Sequence, residues 1–189
     1  ETIEQLSFDV SYDIPYEYFY TLKHVFMDVF EINNENYYFI TDKAKSRVYY
    51  FTEKLGLNYL KLILKNKIKL CSFNGKNLIK HISKATGLPI SCDHIIHDVQ
   101  VAEYVTFGGK STESTIEKIN DKVSKVNLSK LRPKYKLDDK TPQYTKMSPE
   151  EIIEVKAEET ALCAHIFSRK ILDTSSDAYK LDTKLVPVL

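Results

Sequence analysis

The chain has 189 residues, 43% of them hydrophobic and 28% charged, with a formal net charge of +1; this is the balance of one globular domain and excludes a surface coated in basic groups for avid DNA or membrane binding. Only Arg47, Arg132 and Arg169 are arginines among 27 basic residues, so a phosphate-binding surface, if present, is local and lysine-based. Cys71, Cys92 and Cys163 suggest no disulfide framework, no apolar run reaches the roughly 18–20 residues of a membrane span, and the acidic opening Glu1-Thr-Ile-Glu4 lacks a signal-peptide n-region, so a cytoplasmic protein is expected.

Ile3, Leu6, Phe8 and Val10 alternate with polar neighbours around residues 4–10, and after Pro15 a short aromatic helix is expected over Tyr16–Leu22. Three strand-like runs follow, His24–Ile32, Tyr37–Thr41 and Arg47–Thr52, separated by turn-forming segments at 33–36 and 42–46; they predict an antiparallel meander. From Leu57 the period lengthens. Leu57, Leu60, Ile63 and Leu64 suit a helix, Ile68–Cys71 a short buried strand, and Leu78, Ile79, Ile82 and Ala85 a second helix ended by Gly87. Ile95-Ile96 leads into a helix expected from His97 to Val105, with Gly108-Gly109 ending it and another short helix near Ser111 or Thr112.

Residues 124–147, with Pro133 and Pro142 and little apolar periodicity, predict a loop or linker. Ser148-Pro-Glu-Glu151 then opens the clearest helix: Ser148 suits the N-cap, Pro149 the first helical position, and Glu151 completes a capping box. That helix is expected to run to about Leu172. The order implies a single α/β domain over residues 1–189, with a mixed sheet of about five strands and flanking helices, the element order of a ribonuclease H-like fold.

Several short stretches also resemble one family. Val25-Phe-Met-Asp-Val-Phe-Glu-Ile-Asn33, Ile68-Lys-Leu-Cys-Ser-Phe-Asn-Gly-Lys-Asn-Leu78, Gly87-Leu-Pro-Ile90 followed by His97-Asp-Val-Gln-Val-Ala-Glu-Tyr-Val105, and Glu158-Glu-Thr-Ala161 occur in the order and spacing of motifs in the 3′–5′ exonuclease domain of bacterial DNA polymerase I. Val186-Pro-Val-Leu189 is similar to the point where the polymerase domain of that family begins, so the resemblance implies that 183–189 starts a connection and that the chain is a piece of a longer protein. It further implies partnership with DNA and with a polymerase domain of the same chain, without a membrane, and Mg²⁺ as the cofactor of the whole polymerase.

The resemblance implies two divalent metals held by an Asp-x-Glu pair on the first strand, an Asp on the middle helix and a Tyr-x-x-x-Asp on the last helix. Such a cluster is needed because adjacent cations share anionic oxygens while one activates a water. Here Asp28 is present, but its same-face partner is Phe30, and Glu31 points to the opposite face. No Asp or Glu lies between Glu53 and Asp93, and Ile79 falls about where the middle carboxylate belongs. On the last helix the pair becomes Val155 and Glu159, losing the phenol. Asp28 and Glu159 are therefore remnants, losses fall at Phe30, Ile79 and Val155, and a catalytically silent exonuclease domain with no metal or cofactor of its own is expected.

Alternatives stand beside that reading. Asp28 also reads as a strand carboxylate bonded to backbone, and Glu159 as part of a solvated face with Glu150, Glu151, Glu154 and Glu158. An active exonuclease with rearranged acids (Asp28, Glu31, Asp98, Glu159) and an unrelated α/β binding module are the competing functions. Residues 54–92 hold eight lysines and no acid, +8 against −7 elsewhere. Lys65, Lys67, Lys69, Lys76 and Lys80 are the DNA-contact candidates, against a plain solvated helix face. Cys92, His94, His97 and Asp98 carry metal-capable groups but lack the four well-spaced ligands of a structural zinc site.

Overall fold

The structure, a computed structural model, describes residues 4–6, 8–42, 47–90, 94–106, 119, 126–127, 131, 144–172 and 174–185. Two short strands open the chain, β1 (Glu4–Gln5) and β2 (Asp9–Ser11), followed by the one-turn helix α1 (Glu17–Tyr20). The expected meander is β3 (His24–Ile32), β4 (Glu35–Thr41) and β5 (Arg47–Thr52). The β3–β4 turn is tighter than the expected 33–36 segment: Asn33 and Asn34 alone span it, both at positive φ (52° and 64°), the geometry of a two-residue hairpin that Asn tolerates.

Helix α2 (Glu53–Lys65), strand β6 (Lys69–Ser72) and helix α3 (Gly75–Thr86) follow, and α3 ends on Gly87 at φ 69° as its sequence requires. Strand β7 (Ile95–Asp98) runs directly into α4 (Val99–Thr106). Here the expected helix start is corrected: His97 and Asp98 belong to the strand, because they pair with Cys71 and Ser72 of β6. Beyond β8 (Val126–Asn127) and a 3-10 turn at Tyr144–Lys146 come α5 (Pro149–Ser168) and α6 (Asp177–Leu185). The expected helix near Ser111 lies outside the described residues, as does most of 124–147; within that stretch Val126–Asn127 pairs in parallel with β1. Residues 183–185 form the last turn of α6, while 186–189 lie outside the described residues.

The large sheet has six strands in the order β2-β5-β4-β3-β6-β7. β3, β4 and β5 are antiparallel neighbours, β6 and β7 add in parallel beyond β3, and β2 pairs in parallel outside β5, which supplies the strand beyond the expected five. Side-chain alternation divides two cores. Phe26, Phe39, Val48 and Cys71 face α4, α5 and α6, whereas Val25, Met27, Tyr38, Ile40, Phe51 and Leu70 face α1, α2 and α3. No helix among the described residues is long and apolar enough to cross a membrane.

Helix ends carry the chain from one layer to the next. Ser148 and Glu151 make the reciprocal capping box at the start of α5, as their spacing requires. Its C-terminus arrives four residues before the expected Leu172. Lys170 takes φ 52°, its N–H donates to the Phe167 carbonyl at 3.1 Å, and the Ile171 N–H reaches the Ile166 carbonyl at 3.2 Å, the paired bonds of a Schellman motif. Lys67 (φ 54°) ends α2 in the same way, with Ile68 as the buried residue that follows. Both left-handed positions hold lysine where glycine is the usual signal; the α2 stop shows in the sequence only through the strand pattern that follows, and the α5 stop does not show.

Candidate functional site

Asp28 lies on the β3 face turned toward α5, between Phe26 and Phe30. Parallel pairing with β6 brings Ser72 beside it. The Ser72 hydroxyl donates to Asp28 Oδ1 at 2.9 Å and the Phe73 N–H to the same oxygen at 3.3 Å. From α5, the Thr160 hydroxyl lies 3.4 Å from Oδ2 while also reaching the Lys156 carbonyl at 3.0 Å. Burial pushes the Asp28 carboxyl up to about 7; the neighbouring Glu159 carboxylate adds to this, while the Ser72 hydroxyl, the Lys156 ammonium and the Phe73 N–H oppose it.

Glu159 is not on a solvated face. Its side chain is 17% exposed and bonds at 3.0 Å to Lys156 Nζ, itself only 14% exposed. The same ammonium sits 4.2 Å from the Phe30 ring centroid and 4.8 Å from that of Tyr144, whose hydroxyl it also engages. Burial works against the Lys156 charge, yet Glu159 and Tyr144 hold its pKa above the ordinary value, so it is a cation at every physiological pH. Val155 is fully buried in an apolar cluster with Ile32, Met147 and Ile152. Tyr144, from the 3-10 turn, brings a phenol to this constellation.

The remaining acids go elsewhere. Glu31 is exposed on the opposite face of β3, as alternation requires. Asp98 caps two helices at once, accepting from the Gly75 N–H at 2.8 Å and the Val101 N–H at 2.9 Å. Burial pushes its carboxyl up to about 6, against those backbone donors. Its neighbour His97 contacts the Tyr179 hydroxyl through Nδ1 at 2.6 Å, and the Asp98 N–H donates to that hydroxyl at 3.2 Å, tying α6 to β7. Burial lowers His97 to about 4, so it is neutral. Ile79 sits in the other core with Leu78 and Ile82, so a carboxylate at this position would not face Asp28; the place beside Asp28 is filled by Ser72 and Phe73.

The lysine candidates do not form one surface. Lys65, Lys67 and Lys69 lie where α2 gives way to β6, at the end of that strand opposite to Ser72, whereas Lys76 and Lys80 are exposed on α3. Lys65 joins Lys61, Tyr16, Leu62, Pro89 and His94 around an open groove of about 670 Å³. A second groove, about 610 Å³, runs between the β2 edge and α5, lined by Phe8, Val10, Tyr50, Glu150, Glu154 and Glu158. Neither contains Asp28. Cys71 and Cys163 are buried free thiols, and burial pushes both above the ordinary thiol range, which rules out a ready thiolate at either position.

The chain has no match among protein-family models, curated proteins or solved structures. What the site can do thus follows from its geometry. A two-metal centre needs several oxygen anions around one space. Among the described residues no group of three or more His, Cys, Asp or Glu side chains is arranged to hold a metal; Asp28 and Glu159 share their surroundings with an ammonium and an aromatic ring. Divalent cations do not fit this constellation. Sequence reasoning missed Lys156, Tyr144, Ser72 and Thr160. A signal for the first existed: Lys156 is the one lysine of α5, at i−3 from Glu159 and on the face that carries Ile152, Val155 and Cys163.

Proposed function

We propose that this chain is a vestigial 3′–5′ proofreading exonuclease-like domain of a DNA polymerase I, with a ribonuclease H-like fold, no nuclease activity of its own, and a role as scaffold and DNA-contact surface beside a polymerase domain. The fold assignment draws on the sheet: a three-strand meander, then two parallel strands added beyond its first strand through helical crossovers. The functional reading draws on the motif order together with one structural observation. Asp28, the surviving first-strand acid, faces the last long helix as a metal-binding strand acid would, but the one carboxylate near it there, Glu159, is already paired with the Lys156 ammonium, which rests on Phe30.

DNA contact would rest on Lys76 and Lys80, exposed on one helix face, and separately on Lys65 and Lys67. With so few cations engaged, binding to single strands is weak, and it falls with salt at the shallow slope that a few phosphate contacts set. The test is incubation of the purified chain with a 5′-labelled single-stranded oligonucleotide in Mg²⁺ and in Mn²⁺. The expected result is an oligonucleotide of unchanged length. Metal-dependent shortening that disappears in Asp28→Ala would overturn the proposal, and retarded migration of the oligonucleotide at low salt, weakened by Lys76→Glu with Lys80→Glu, would support the contact surface.

A further inference from the structure

Lys156 is the residue that loss of a metal site does not by itself explain. A carboxylate that merely lost its metal would turn to solvent or be replaced by an apolar residue, since an unpaired buried charge is strongly disfavoured. Instead Asp28 keeps three polar neighbours, and Glu159 is held inward at 3.0 Å from an ammonium. That ammonium is enclosed by the Phe30 ring at 4.2 Å and the Tyr144 ring at 4.8 Å. The charged and titratable groups around it come from three elements: Asp28 on β3, Tyr144 on the 3-10 turn, and Glu159 on α5.

We propose that Lys156 is a resident internal cation: its ammonium, paired with Glu159 and seated on the Phe30 ring next to Asp28 on the strand, supplies positive charge to this site from within the chain and closes it to metals. The site chemistry carries this. A dication entering beside the ammonium would meet like charge at a few ångströms in a partly dry space, where that repulsion is large. Phe30, at the position facing Asp28 along the strand, offers the lysine a ring face but offers a hard cation no oxygen. Without the ammonium, Glu159 would lose its partner and stand as a free carboxylate in the neighbourhood of Asp28 and its Ser72 and Thr160 hydroxyls, oxygens of the kind that hold a hydrated divalent ion. The inference deepens the vestigial-exonuclease reading and names what occupies the lost centre.

Mn²⁺ binding, followed by the EPR signal of free Mn²⁺ at pH 8, tests it in the full chain. Wild type and Lys156→Arg should bind weakly or not at all, and Lys156→Ala should bind one Mn²⁺ at least about tenfold more tightly, because a nearby unit positive charge has been removed. Adding Asp28→Asn to Lys156→Ala should return binding to the wild-type level. Lys156→Met, which keeps the aliphatic packing, serves where the alanine variant loses its far-UV circular dichroism. The inference is overturned if a folded, charge-removed variant binds Mn²⁺ no better than wild type, or if its binding survives Asp28→Asn. Shortening of the oligonucleotide by wild type would sink the vestigial reading instead, so the two failures are told apart.

Discussion

Replacing Asp28 by asparagine removes one ionisable group and leaves its shape. The amide oxygen can still accept from the Ser72 hydroxyl and the Phe73 N–H, which both point at Oδ1. In the native protein this carboxyl keeps its proton up to about pH 7, against an ordinary value of 3.8. The folded state therefore binds more protons than the unfolded chain between those values, and its stability falls as pH rises through that window. At 1.36 kcal/mol per unit the full span sets a ceiling of about 4 kcal/mol, of which about 2–3 kcal/mol falls between pH 5 and pH 8. Partial contact with solvent favours the lower figure. Asp98 titrates in the same direction, with its carboxyl pushed up to about 6, but it is common to both proteins and cancels in their difference. Urea unfolding of wild type and Asp28→Asn at the two pH values measures that difference. The variant should gain about 2 kcal/mol on wild type between pH 5 and pH 8; curves that stay parallel, or a gap that narrows, would refute the burial of this acid as described.

Three further outcomes follow from particular contacts. Gly56→Ala places a methyl 2.2 Å from Phe51 Cδ2, and the ring has nowhere to go because it is stacked on Tyr38 at 5.4 Å and edged by Tyr59 at 5.2 Å; a loss of about 1–3 kcal/mol in urea unfolding is expected. Ile79→Asp should cost about 3 kcal/mol or more at pH 8, since it buries an unpaired carboxylate in an apolar core, and should bring no Mg²⁺-dependent nuclease activity. Ser148→Ala breaks the capping box of α5 and should lower stability by about 1 kcal/mol, or about 2–4 °C in Tm by calorimetry.

Much of this architecture is legible where side-chain period alone decides the outcome. β3 and β5 match the expected runs, and Phe30 shares a face with Asp28 while Glu31 does not, because strands alternate without exception over an unbroken ladder. The capping box at Ser148 and the Gly87 stop are likewise local chemistry. What escaped was set by partners far along the chain. His97 and Asp98 look like a helix start, yet pairing with β6 extends the strand through them, and Tyr179 fixes His97 from 82 residues away. Helix α6 buries little more than Tyr179 and Thr183, too sparse a pattern to announce a helix.

The candidate site was legible only in part. Asp28 could be placed, but Glu159 among five acids on one helix looks solvated until the Lys156 contact and the Phe30 and Tyr144 rings are seen together. Position 79 shows a different limit: counting along the chain locates a residue on α3 but not which of the two cores it faces. The lysine-rich segment shows the same limit. Its charge is real in the sequence, while the fold spreads Lys65 and Lys67 to one end of β6 and Lys76 and Lys80 along α3.

The account turns on what occupies the space beside Asp28 and Glu159. An anomalous difference map from wild-type crystals soaked in Mn²⁺ reads this directly. The account predicts density for the Lys156 side chain ending at Glu159 and no anomalous peak beside Asp28; a metal peak coordinated by both carboxylates, with the lysine displaced, would contradict it.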